Sequence, residues 1–212
     1  MNVFQTPGLF LAWGLGGGDW SPETIVAKAA DAGFGWVGRA LQEPTDPAVV
    51  RRLRAACTAH RLHYAAWMSQ PLDLGAILAD HPNMVLFNVE APEPDAPKLL
   101  TAFRAKHPKL PAAIVTNFAG IVPKPWLRHD VYCLPEAYTV DDADATVPAQ
   151  VARAVGYGWK TDRVFPVLGC YHGFPFTDYE PHLAGHGWSI YTAETMQPVD
   201  WTAHATRVLS RT

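Results

Sequence analysis

The stretch Met84-Val85-Leu86-Phe87-Asn88-Val89-Glu90 predicts a short buried β-strand that ends in a glutamate, because a short apolar run is typical of such strands. Two further stretches have the same form. They are Asp130-Val131-Tyr132-Cys133-Leu134-Pro135-Glu136 and Trp188-Ser189-Ile190-Tyr191-Thr192-Ala193-Glu194. A carboxyl group at the end of several strands suggests that these strands contribute to one polar site.

Eight apolar runs recur along the chain, and segments with helical spacing lie between them. The mean spacing of the runs is roughly 26 residues, which suits one strand and one helix per unit. The chain of 212 residues is just longer than the minimum of about 200 for a complete barrel of such units. The sequence therefore predicts a compact single-domain (β/α)8 TIM barrel over residues 1–212. The runs begin near Leu9, Trp36, His63, Met84, Ala112, Asp130, Val164 and Trp188.

Three helix starts carry recognisable capping chemistry. They are Ser21-Pro22-Glu23, Asp46-Pro47 and Thr146-Val147-Pro148. Each places a capping side chain before or near a proline, whose missing N–H costs nothing in the first turn of a helix. These segments are predicted to begin the helices that cross from one strand to the next.

The candidate catalytic residues are Glu90, Glu136 and Glu194, which end the fourth, sixth and eighth predicted strands. In a closed parallel barrel, side chains from alternate strands share an interior layer, and the active site forms at the C-terminal rim. The same rim position on the other strands supplies polar and aromatic side chains, with Arg39 as a countercharge. The candidate substrate-binding residues are Trp13, Arg39, Trp67, Asn88, Asn117, Tyr138, Tyr171, His172 and Tyr191.

Aromatic and carboxylate side chains on one rim suit a sugar, because C–H faces stack on rings while hydroxyls and glycosidic oxygens need carboxylates. Several carboxylates in one desolvated pocket cannot all ionise cheaply, so the pKa of one is expected to rise. Such a pair favours glycoside hydrolysis. Trp13 and Trp67 fit a second interpretation equally well, in which each ring fills the barrel interior.

Other barrel chemistries lack their residues in the predicted positions. Leu11-Ala12-Trp13 on the first strand supplies no His-x-His motif for a metal, and no predicted strand end carries a lysine for a Schiff base. The glycine-rich Gly14-Leu15-Gly16-Gly17-Gly18-Asp19 has aspartate where a dinucleotide loop needs its third glycine. We therefore predict no cofactor and no metal.

The composition is that of an ordinary globular domain, with 49% hydrophobic and 17% charged residues. A net charge of -3 gives no basic surface for nucleic acid or for a membrane. The start of the chain lacks the pattern of a signal peptide, so a soluble protein is expected. Three cysteines without C-x-x-C spacing, of which Cys133 and Cys170 lie inside predicted strands, are expected to be buried.

Several of these stretches resemble glycoside-hydrolase-type barrels encoded by actinobacterial bacteriophages and their hosts, often in tail or lysis modules. The similar stretches are Phe87-Asn88-Val89-Glu90-Ala91-Pro92, Leu134-Pro135-Glu136-Ala137-Tyr138, Val167-Leu168-Gly169-Cys170-Tyr171 and Ile190-Tyr191-Thr192-Ala193-Glu194. The resemblance implies a hydrolase of bacterial cell-wall or surface polysaccharide, with an oligosaccharide or polysaccharide as its partner. It also implies association with other virion proteins or a location in the host cytoplasm.

Two alternatives remain open at this point. Val89 interrupts the Asn-Glu pair that ends the fourth strand in many hydrolases of this kind, which leaves a non-catalytic sugar-binding or structural virion domain as one alternative. Another barrel enzyme, such as an isomerase or lyase, is the second.

Overall fold

Strands and helices alternate along the chain, and the strands pair in sequence order into one closed parallel barrel. The computed structural model describes residues 2–11, 21–40, 46–70, 72–119, 121–138, 143–170, 174–183 and 187–210. The barrel closes where β8 pairs with β1, with Gly8 opposite Ser189 and Leu9 opposite Ile190. This architecture confirms the predicted (β/α)8 TIM barrel.

The strand starts lie close to those predicted. The strands are β1 (Gly8–Leu11), β2 (Trp36–Ala40), β3 (His63–Ser69), β4 (Met84–Asn88), β5 (Ala112–Thr116), β6 (Tyr132–Ala137), β7 (Val167–Gly169) and β8 (Ser189–Tyr191). The helices are α1 (Pro22–Asp31), α2 (Pro47–Ala59), α3 (Leu74–Ala79), α4 (Ala96–Lys106), α5 (Pro123–Arg128), α6 (Val147–Tyr157), α7 (Phe176–Tyr179) and α8 (Pro198–Leu209). Short 3₁₀ helices cover Val3–Gln5, Thr161–Arg163, Glu180–His182 and Ala193–Thr195.

The three predicted helix starts are confirmed by their capping bonds. The Ser21 side chain accepts a hydrogen bond from the Thr24 amide at 3.2 Å, and Asp46 accepts one from the Ala48 amide at 2.8 Å. Thr146 does the same for α6. Each cap satisfies an amide that the first turn leaves without an intrahelical partner.

The barrel interior is filled by large side chains from alternate strand positions. Phe10, Trp36, Trp67 and Leu86 belong to this inner cluster, and each is nearly or fully buried. The Trp36 indole occupies the space in which a Cβ on Gly8 would stand, at 1.9 Å from the ring, so only glycine fits at that position of β1. The interior is a packed core rather than a pore.

Two outer clusters join the strands to the helices. One covers the first and last strands with α1, α2, α7 and α8, and the other covers the middle strands with α3 to α6. At the end where strands begin, Phe4 closes the barrel beside Tyr132 and Phe165. Among the described residues, no helix combines the length and the apolar character that crossing a bilayer would need.

The strand ends differ from the predicted ones. Glu90 lies two residues beyond the end of β4, whereas β6 continues one residue past Glu136. Glu194 follows β8 in the 3₁₀ helix Ala193–Thr195. The three glutamates therefore do not occupy equivalent strand-end positions.

Candidate active site at the carboxyl ends of the strands

Glu136 points into the barrel near the carboxyl end of β6. Side chains alternate between the two faces of a strand, and on β6 Leu134 belongs to the inner cluster while Cys133 belongs to an outer one. Glu136 has the parity of Leu134 and is 7% exposed. A carboxyl group therefore lies at the top of the packed interior, where TIM barrels place their catalytic groups.

The surroundings of Glu136 raise its pKa to about 8, chiefly because burial penalises the charged form and secondly because of the nearby negative charge of Glu90. A hydrogen bond from the Tyr138 hydroxyl acts in the opposite direction. The Oε1 atom of Glu136 is buried and has no hydrogen-bond partner among the described residues. At neutral pH this carboxyl group mostly holds its proton, so it is able to donate one and to take one back.

Glu90 lies next to Glu136 on the solvent side and is held by residues from the ends of β3 and β4. Its Oε1 accepts a hydrogen bond of 2.9 Å from Asn88 Nδ2, which also donates to Ser69 Oγ at 2.9 Å. Gln70 Oε1 accepts from the backbone amides of Glu90 and Ala91. These contacts fix an exposed carboxylate beside a buried one.

Aromatic rings form the other wall of the mouth. Tyr138 and Tyr191 are stacked with ring centroids 5.6 Å apart, and Tyr191 meets Trp67 edge-to-face at 5.6 Å. Both tyrosines are half-buried, whereas Trp67 is only 6% exposed and packs against Phe10 beneath them. The mouth thus combines a carboxyl pair, an amide and two accessible aromatic rings, while Trp67 belongs to the barrel filling.

The prediction that Arg39 supplies the countercharge in the mouth is wrong. On β2, Trp36 and Ala40 face the interior, so Arg39 faces the outer layer. Its Nη1 lies 3.0 Å from Asp80 Oδ2, and the Tyr64 hydroxyl donates to the same oxygen at 2.9 Å. A difference of one residue in the assumed rim position moves a side chain to the other face of the strand.

Five predicted site residues remain to be placed. They are Trp13, Asn117, Tyr171, His172 and Glu194. Asn117 follows β5, is exposed, and accepts a hydrogen bond from the Ala119 amide at 2.8 Å. Trp13, Tyr171 and His172 lie outside the described residues, and so does the side chain of Glu194. Of the three predicted catalytic glutamates, the structure brings Glu90 and Glu136 together.

Sequence reasoning missed Ser69 and Gln70, which support Asn88 and Glu90. Their signal was available in part, because Ser69 follows Trp67 by two residues and so shares its interior face. The role of Gln70 had no local signal. It contacts a segment 20 residues further along the chain.

The described residues contain no group of three or more histidine, cysteine, aspartate or glutamate side chains that could hold a metal ion. No lysine lies on any of the eight strands. The carboxyl groups of Glu136 and Glu90 are suited to proton transfer.

Comparisons with known proteins relate the chain to others through its three-dimensional structure. No family model matches the sequence, and no curated protein matches it either. A 3-deoxy-D-arabino-heptulosonate 7-phosphate synthase from Thermotoga maritima is similar with a TM-score of 0.59 and 11% identity, over 97% of this chain and 86% of that one. The N-acetylneuraminic acid synthetase of Leptospira borgpetersenii gives 0.60 and 10%, over 97% and 82%. KDPG aldolase of Legionella pneumophila gives 0.54 and 13%, over 98% and 95%.

What they share with this chain is the fold. At such identities the likeness establishes the barrel and not the reaction. The predicted glycoside hydrolase, with its virion-domain alternative, is corrected, because the similar structures named above are a synthase, a synthetase and an aldolase rather than glycosidases or virion proteins. The bacteriophage resemblance finds no support among them.

Proposed function

We propose that the barrel mouth is the active site of an isomerase- or lyase-type enzyme, in which Glu136 moves a proton at a carbon next to a carbonyl group. The substrate is a small hydroxylated compound. The observation that carries this proposal is the buried carboxyl group of Glu136, held beside the charge of Glu90 with its pKa raised to about 8. A general acid–base catalyst works best when its pKa lies near the working pH.

Unpartnered polar atoms support a hydroxylated substrate. Asn88 Oδ1 and Glu136 Oε1 are buried and have no hydrogen-bond partner among the described residues. Buried polar groups are nearly always hydrogen-bonded, so such atoms call for a partner. A substrate hydroxyl group would donate to Asn88 Oδ1, which leaves Glu136 Oε1 to receive the proton from carbon.

The half-buried Tyr138 and Tyr191 rings add a flat surface on which the C–H face of such a compound would pack. Among proteins with this fold, one neighbour is named a sialic acid synthetase and another an aldolase. The proposed reaction needs no lysine on a strand. The proton leaves the carbon, Glu136 Oε1 receives it, and the electron pair of the broken C–H bond forms an enolate.

Deuterium exchange tests the proton transfer itself, whichever complete reaction it belongs to. The protein is incubated in D₂O with pyruvate, dihydroxyacetone and D-fructose, and proton NMR follows the loss of C–H signals next to each carbonyl. Wild-type protein is expected to accelerate exchange in at least one compound, and Glu136→Gln to abolish the acceleration. Glu180→Gln is the matched control, because it makes the same change on the 3₁₀ helix after α7.

The pH profile sharpens the test. The ionised form of Glu136 takes the proton, so the exchange rate should rise with pH and level off above about 8. Tyr138→Phe removes a hydrogen bond that lowers the pKa of Glu136, so it should shift the profile to higher pH while keeping the ring. Absence of exchange with every compound, or equal exchange in wild type and Glu136→Gln, contradicts the proposal.

A further inference from the structure

A cavity lies at the end of the barrel where the strands begin, opposite the proposed active site. Its volume is about 720 Å³, within the range of small-molecule sites, roughly 300–1,000 Å³. His63 at the start of β3 and Tyr132 at the start of β6 contribute to it, together with residues 2–3, 108–111 and 128–130. It shares no residue with the proposed active site.

Positive charge dominates the lining of this cavity. Arg104, Lys109 and Arg128 line it, and no ion pair involves them among the described residues. The carboxylate in the lining is Asp130, which already pairs with Arg163. The cavity therefore has cationic groups in excess, in a chain whose overall charge is -3.

Arg104 gives the cavity a fixed wall. Its Nε donates to the His129 carbonyl at 2.9 Å, its Nη1 to the Leu110 carbonyl at 2.6 Å, and its Nη2 to the Asp130 carbonyl at 3.3 Å. These bonds use three of the five N–H groups of a guanidinium. The side chain is held in place by the two loops that it bridges, with N–H groups left over.

The charges of Arg128 and Arg104 also act on His129, which lines the same cavity. The pKa of its imidazole is lowered, first by burial and then by the charges of Arg128 and Arg104. These positive charges disfavour the protonated form of the His129 ring and favour an anion in the same space. Its Nε2 lies 3.3 Å from Thr101 Oγ1, so the ring is also oriented.

We infer that this cavity is a binding site for a small organic phosphate. A phosphate monoester carries close to two negative charges at neutral pH and offers three acceptor oxygens, and the lining offers it the cationic donors of Arg104, Lys109 and Arg128. Val3, Pro108, Leu110 and Pro111 supply an apolar wall for the organic part. The cavity is larger than a free phosphate ion requires.

Titration calorimetry at low salt with phenyl phosphate, inorganic phosphate and benzoate tests the inference. Phenyl phosphate is expected to bind more tightly than either of the others, since it has both the dianion and the ring. Each of Lys109→Ala and Arg128→Ala should weaken binding, and the double variant should weaken it by about tenfold or more. The pKa of His129, followed by NMR of its ring, should rise when phenyl phosphate is bound.

Lys124→Ala is the matched control. It makes the same substitution as Lys109→Ala, but at an exposed residue that lies at the opposite end of α5 from Arg128. It should leave the affinity unchanged. Equal weakening by Lys124→Ala, or affinity that survives the double variant, overturns the inference. So does phenyl phosphate that binds no better than benzoate.

Discussion

At the scale of one residue, the ionisation of Glu136 affects both the proposed reaction and the stability of the barrel. Burial and the charge of Glu90 raise the pKa of its carboxyl group to about 8 in the folded protein, whereas an unfolded glutamate has a pKa of about 4.3. Between these two values the folded chain keeps a proton that the unfolded chain releases. The resulting stabilisation is full below the unfolded pKa and is lost as the pH rises through the folded pKa.

The first prediction is that the free energy of unfolding of the wild type falls between pH 5 and pH 9 by an amount on the order of a few kcal/mol from this group. Glu136→Gln replaces the carboxyl group with an amide of similar shape that stays neutral, so it should flatten this fall and be the more stable protein at pH 9. Urea denaturation at both pH values measures the difference. Parallel profiles for the two proteins would show that the Glu136 pKa does not differ between the folded and unfolded states.

The sequence predicts the environment of some site residues and not of others. The sequence predicts a raised pKa for one strand-end glutamate, because several carboxylates are expected on one desolvated rim, and in the structure that glutamate is Glu136. Arg39 could not be placed, since the rim position on β2 depends on where that strand ends. Trp67 was compatible with two environments, and its contacts with Phe10 and Tyr191 place it in the packed interior.

At the scale of elements, the ends of strands were harder to predict than their existence. β4 and β5 continue their ladder until the Val89 amide donates to the Val115 carbonyl. The next amides, of Glu90 and Ala91, donate to the Gln70 side chain instead. The Gln70 side chain, which belongs to the preceding strand–helix unit, thus ends the pairing of β4 with β5. A local pattern of apolar residues cannot predict a contact between residues so far apart in the sequence.

α8 is attached to the barrel by a buried histidine. His204 Nδ1 lies 2.9 Å from the Ala32 carbonyl, and the ring stacks on Phe34 with centroids 3.9 Å apart. Phe176 and Trp188 meet it edge-on. Burial lowers the pKa of His204 to about 4, although the bond to Ala32 acts in the opposite direction.

This environment makes the packing of α8 sensitive to acid. A folded pKa below the unfolded value of about 6.5 means that the stabilisation is present above pH 6.5 and is lost as the pH falls through about 4. His204→Gln should lower the melting temperature at pH 7, where it removes ring packing, and should show a smaller further drop at pH 4.5 than the wild type. Thermal unfolding at the two pH values measures this.

His182→Gln is the control for the α8 prediction. His182 is exposed on the 3₁₀ helix after α7, so its replacement should leave both melting temperatures close to those of the wild type. A drop at pH 4.5 that is as large in His204→Gln as in the wild type would mean that another group causes the acid sensitivity.

At the scale of the whole molecule, the closed barrel ties its inner and outer layers into one structure. Each strand contributes one face to the interior cluster and the other to a helical layer, so neither layer can separate without exposing a strand face. The three cysteines sample different parts of this arrangement. Cys57 lies on α2, Cys133 on β6, and Cys170 just after β7, and all three are buried.

We therefore expect the three thiols to become reactive together. Burial raises the pKa of each thiol above its ordinary value, to about 12 for Cys57, so none reacts readily in the folded state. If the barrel opens as one unit, iodoacetamide should modify all three at one rate, with one dependence on urea concentration. Mass spectrometry of the three cysteine peptides measures the rates separately. Faster modification of Cys57 at low urea would mean that α2 detaches while the helical layer over Cys133 stays in place, because Cys133 lies on the outer face of β6 and is covered by α4 to α6.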